Sequence, residues 1–129
     1  MSTYNISDAE LEIMRVIWQQ GGRIYFAPLM ECLDEMGKKW KANTVLTFLY
    51  RLVEKGFLVV EKLGRINQYV AALSEEEYME SLAKSFVGKF FGGNVTDFVA
   101  AFLRQDSLSA GDIAELRAFW EEKGAKNDE

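Results

Sequence analysis

The segment KANTVLTFLYRLVEKG, Lys41 to Gly56, has two unlike faces. At about 100° per residue, Val45, Leu46, Leu49, Leu52 and Val53 gather on one side of a helix, while Thr44, Thr47 and Arg51 gather on the other. Lys55 in the last turn and Gly56 directly after it mark the C-terminus. Taken alone, the polar face is either solvated or built to read something. Its neighbours weigh on the second side.

Upstream, SDAE at Ser7 to Glu10 is a capping-box pattern, and Leu11, Met14, Ile17 and Trp18 follow at helical spacing, predicting a helix from Asp8 to Gln20 that Gly21 and Gly22 stop. A short second helix is expected near Pro28, carrying Leu29, Met30, Leu33 and Met36. Downstream the period changes. Phe57 to Leu63 is rich in β-formers, Gly64 and Arg65 make a turn, and Ile66 to Ala72 reads as a return strand. Three helices, the third polar outward, followed at once by a two-stranded ribbon form a winged helix-turn-helix.

The 129 residues suffice for one ordinary domain or a small domain with an appendage, able to bury roughly two thirds of the unfolded surface. Net charge is −5, but it is unevenly spread. Nine cations against eight carboxylates leave Met1 to Leu73 at +1, while six against twelve put Ser74 to Glu129 at −6. Between Lys38 and Arg65 the balance is +5, and that patch contains the two-faced helix. Such a cluster, with Lys38, Lys39, Lys41, Lys55 and Lys62, in an otherwise acidic chain favours a nucleic-acid reader over a merely solvated face.

In a major groove, Asn43, Thr44, Thr47, Tyr50 and Arg51 would meet base edges: the hydroxyls donate or accept, and Arg51 suits guanine O6 and N7. Lys41, Lys62 and Arg65 are expected on phosphates, which fix register and make affinity salt-dependent. Trp40 is favoured as core. Catalysis is not expected: the chain has no histidine, no P-loop, no G-x-G-x-x-G ahead of a helix and no G-x-S-x-G. No metal and no cofactor are expected. Cys32, the single cysteine, precludes an intrachain disulfide and is expected buried or half-buried beside Met30 and Leu33. No signal-like N-terminus and no long apolar run occur, so a soluble cytoplasmic protein without membrane insertion is expected.

Ser74 to Glu77 is a second capping box, opening a helix with Tyr78, Leu82, Phe86, Phe90 and Phe91 that stops at Gly92 and Gly93. A fifth helix, Val95 to Gln105, carries Phe98, Val99, Phe102 and Leu103; a sixth, from Ser109, carries Ile113, Leu116, Phe119 and Trp120. This surplus apolar surface either folds back on the first domain or pairs with a second chain. The dimer is preferred, because a lone helix-turn-helix reads only one half-site. Its interface is expected at Phe86, Phe90, Phe91, Phe98, Val99, Phe102, Leu103, Leu116 and Trp120.

YNISDAELEIMRVIW, W-x-x-x-T-V-x-T-x-L-x-R-L-x-x-K-G from Trp40 to Gly56, GR-x-x-x-Y from Gly64 to Tyr69, and FFGGNVTDFVAAFLRQDSLSAGDIAELR together resemble the penicillinase-repressor family, the BlaI/MecI/CopY group. The resemblance runs in order from Tyr4 to about Lys123. It implies a homodimeric bacterial repressor on inverted-repeat operators in double-stranded DNA, with the family's recognition-helix residues at Thr44, Thr47 and Arg51. Copper-responsive members end in a cysteine-rich tail, which this sequence lacks. In antibiotic-responsive members a membrane-linked protease pathway cuts an Asn-Phe bond; the aligned pair here is Ala101 and Phe102.

The expected architecture is therefore mainly α with a small β-hairpin: a winged-helix DNA-binding domain over 1–73, a helical dimerisation region over 74–123, and a frayed tail over 124–129. The rival function is a protein-interaction module in which the winged helix is structural. A small-molecule sensor is a weaker third.

Overall fold

In a computed structural model that describes residues 5–104, 109–112, 114, 115 and 118, the SDAE box opens the first helix. The Ser7 hydroxyl accepts from the Glu10 N–H at 3.1 Å, and the Glu10 carboxylate accepts from the Ser7 N–H at 2.9 Å. Two donors at the helix start are thereby satisfied, and α1 runs Asp8–Gln19 with Ile13, Met14 and Ile17 fully buried. The next element was not legible as a strand. Arg23–Tyr25 forms β1, so the sheet has three antiparallel strands rather than two. A three-residue strand is too short to show alternation; pairing far along the chain creates it, with Ile24 opposite Tyr69 and the Ala71 N–H donating to the Gly22 carbonyl at 2.7 Å.

The second helix, α2, spans Phe26–Glu35 and so begins two residues before the expected Pro28. Extended Tyr25 serves as its N-cap, and Pro28 still lies in the first turn, where its missing N–H costs no helical bond. Leu29 and Leu33 point into the core, and Cys32 beside them is half-buried.

Helix α3, Ala42–Glu54, buries Val45, Leu49 and Leu52 at 0–1% exposure. Leu46, expected on that face, is 41% exposed because it lies at the shoulder of the apolar arc. The helix stops in a Schellman turn. The Phe57 N–H donates to the Leu52 carbonyl at 2.9 Å and the Gly56 N–H to that of Val53 at 3.1 Å, a geometry that requires the positive φ of 86° at Gly56. Phe57 then drops into the core with no exposed surface.

Strands β2 (Leu58–Leu63) and β3 (Ile66–Ala71) form the wing, in the order β1-β3-β2, with Val60 opposite Tyr69 and Leu63 opposite Ile66. Gly64 turns the ribbon with φ of 66°, the sign a two-residue hairpin of this hand needs. Ser74 and Glu77 repeat the reciprocal cap at 3.0 and 2.8 Å and open α4, Glu75–Phe90. Its first turn carries Tyr78, whose ring lies 5.5 Å from that of Phe57 and 5.8 Å from that of Trp18. The Trp18 indole N–H donates to the Leu73 carbonyl at 3.0 Å.

The chain divides into two compact units, residues 1–83 and 84–129, and α4 begins in the first and ends in the second. In the second, Asn94 caps α5, Val95–Leu103, by accepting from the Asp97 N–H at 3.0 Å. The helix ends before the expected Gln105, which lies outside the described residues. The Ser109 hydroxyl accepts from the Asp112 N–H at 3.0 Å, and helical backbone follows at 110–112, 114, 115 and 118.

Candidate nucleic-acid interface

The arc of α3 opposite its buried one carries Asn43, Thr44, Thr47, Tyr50 and Arg51, all exposed. Amphipathic packing puts them there: the deep burial of Val45, Leu49 and Leu52 leaves the opposite arc no choice but solvent. The Thr47 hydroxyl donates to the Asn43 carbonyl at 3.0 Å, so its lone pairs and methyl are what it offers outward. Tyr50 is 62% exposed, and Glu54 one turn on raises its hydroxyl pKa by hydrogen bonding and charge.

Lys41 is the N-cap of α3 and makes no side-chain cap. The first-turn N–H groups therefore stay open beside an ammonium, which suits a phosphate. The charge of Lys41 alone suits a phosphate; the uncapped helix end adds donors that only the backbone reveals. At the wing, Lys62 stands opposite Asn67 on the ribbon, Arg65 sits in the turn, and both are exposed.

Ion pairing reshapes the cationic patch. Lys55 donates to the Glu10 carboxylate at 2.7 Å, and Lys38 lies 3.5 Å from Glu12 and 5.6 Å from the Trp40 ring centre. Arg23, outside the patch, neutralises Glu61 at 3.3 Å and also donates to Gln68 at 3.2 Å. Among the described residues, Lys39, Lys41, Arg51, Lys62 and Arg65 make no ion pair, and they frame the α3 stripe and the wing. Trp40 is half-buried, edge-on to Phe48 at 5.4 Å, and packs against the core.

Unit 2 carries an apolar cluster. Phe86 lies 4.9 Å from Phe90, 6.1 Å from Phe91 and 6.0 Å from Phe98, and Phe98 lies 6.1 Å from Phe102. These rings are not hidden: Phe90 is 61% exposed and no residue of α5 is buried. Val99 and Ala101 are half-buried, and Phe102 and Leu103 are exposed. In unit 1, Met79 and Leu82 of α4 are likewise exposed. Leu116 and Trp120 lie outside the described residues.

Hydroxyls, an amide and a guanidinium leaving one helix together, with unpaired cations to either side, match the edges and phosphates of a duplex groove. The helices, sheet and wing that hold them are those of a winged-helix DNA-binding protein.

The chain belongs to the penicillinase repressor family, whose sequence model matches residues 6–122. That is a family of transcriptional repressors rather than enzymes. The penicillinase repressor of Bacillus licheniformis is 38% identical over 119 residues, covering 91% of this chain and 90% of that one. The methicillin resistance regulatory protein MecI of Staphylococcus aureus (strain N315) is 33% identical over 117 residues, covering 89% and 92%. The solution structure of the DNA binding domain of the repressor BlaI is 37% identical with a TM-score of 0.52, and the match covers 60% of this chain and 94% of that domain. Among the described residues, no helix is long and apolar enough to cross a membrane.

Proposed function

We propose that this protein is a cytoplasmic homodimer that represses transcription by laying α3 of each protomer in the major groove at one half of an inverted repeat. Arg51 reads guanine, and Asn43, Thr44, Thr47 and Tyr50 contact neighbouring base edges. Lys41, with the open start of α3, and Lys62 and Arg65 on the wing hold phosphates. The carrying observation is the α3 stripe itself: five groove-compatible side chains exposed together, Arg51 among them without an ionic partner in the described residues. That a domain at 37% identity is described as the DNA binding domain of a repressor supports the same reading.

The second protomer covers the exposed Phe86, Phe90 and Phe102 surface. Repression is relieved when a membrane-linked protease cuts Ala101–Phe102. That bond lies near the end of a nine-residue helix, Val95–Leu103. Intact-mass analysis of the chain from β-lactam-challenged cells is expected to show a break after Ala101; an uncut chain during derepression would exclude this route.

A gel shift with salt titration tests the DNA reading. Log affinity should fall linearly with log salt, by about 0.9 per phosphate neutralised. Arg51→Ala should cost about 1–3 kcal/mol of discrimination at one base pair per half-site. Binding that ignores salt and DNA sequence would instead favour the protein-interaction module.

A further inference from the structure

Glu10 is a buried carboxylate on α1 held by the cation at the end of α3. It is 1% exposed, and its Oε1 accepts from the Ser7 N–H at 2.9 Å and from the Lys55 ammonium at 2.7 Å. Lys55 is the C-cap of α3, four positions beyond Arg51. Residues four apart are stacked on one side of a helix, about 6 Å apart along its axis. Arg51, the longer cation, is thus the next positive group along α3, and its charge also acts on the Glu10 carboxyl. A buried carboxylate deprived of its cation is strongly unfavourable, so it takes whatever cation can reach it.

We infer that Lys55 is a specificity-determining positioning residue: by occupying Glu10 it keeps the Arg51 guanidinium from folding back onto that carboxylate and leaves it free for a base. Lys55 then contributes little charge to phosphates, although it sits in the basic patch. The ion pair acts on DNA through Arg51, which explains why a carboxylate is kept beside a surface that must attract an anion. The inference rests on the proposed DNA reading and assigns its specificity to a pair that touches no DNA.

The probe is the duplex that the wild-type protein enriches from a random pool, against a scrambled duplex of equal length at one salt concentration. Failure to enrich any duplex would overturn the DNA reading itself. Given an enriched duplex, Lys55→Met should lose about tenfold in discrimination, the scale of one bidentate base contact, and approach Arg51→Ala. Removing the carboxylate as well, in Glu10→Gln/Lys55→Met, should restore discrimination to within about twofold of wild type. Lys55→Arg should keep it. A purely structural role would lower binding to the enriched and the scrambled duplex in proportion to the folded protein lost, and a phosphate contact would weaken both duplexes alike. Either result overturns the inference, as does undiminished discrimination in Lys55→Met. Should Lys55→Met not fold, Glu10→Gln alone, which leaves Arg51 no carboxylate to fold onto, should keep discrimination within about twofold of wild type, and its loss would overturn the inference.

Discussion

Charge on this surface is decided residue by residue. Lys62 and Arg65 have no ionic partner among the described residues, so each should act on phosphates only. Replacing either by alanine is expected to weaken binding to all duplexes uniformly and to reduce the salt slope by about one, measured by titrating salt with enriched and scrambled DNA. Glu10 gives a pH signature. Burial pushes its carboxyl up, but the hydrogen bonds from Lys55 and the Ser7 N–H and the charges of Lys55 and Arg51 outweigh burial and hold it below the ordinary glutamate value. A carboxyl depressed in the folded state stabilises fully above its unfolded value, and the benefit drains as pH falls through the folded one. The melting temperature should therefore drop more steeply below about pH 4 in the wild type than in Glu10→Gln, followed by circular dichroism. Lys55 was recognisable from sequence as a helix-end cation. Its partner was not, because Glu10 lies 45 positions earlier and carries a complete local explanation as the capping-box acid.

Helix α3 was legible almost to the residue, because period, terminal cation and glycine agree. Leu49→Ala should cost about 2–5 kcal/mol in urea unfolding, as a fully buried leucine whose removal leaves a void. Gly56→Ala should cost more than about 1 kcal/mol in the same assay, since a Cβ strains the positive φ even though space around it is open. Other elements were harder. The start of α2 was displaced because proline suggests a boundary while tolerating any position in the first turn. The strand β1 exists only because β3 offers it an edge, and pairing over more than forty positions leaves no local trace. The wing was readable, its turn being fixed by Gly64 between two runs of β-formers.

Across the molecule, the two units differ in surface chemistry: cations without an ion pair among the described residues in the first, exposed phenylalanines in the second. Phe102→Asp or Phe90→Asp should yield a monomer by gel filtration at micromolar concentration, because a carboxylate in that face would be buried unpaired on association. Loss of the second half-site should then lower affinity for a two-site duplex by about a hundredfold or more, while a single half-site is bound as before. The aromatic richness of this half was plain in the sequence. Which of its faces is left open was not, since that depends on how α4 and α5 pack.

Tyr78 carries one last consequence. It enters α4 from beyond the wing yet packs against Trp18 and edge-on to Phe57, so the clasp that seals the reading unit lies well upstream of Ala101. A chain clipped within α5 should keep that clasp and persist as a folded, weak squatter on half-sites instead of being rapidly degraded. Recovery from induction would then be paced by dilution of these remnants through cell growth, and not by the cut itself.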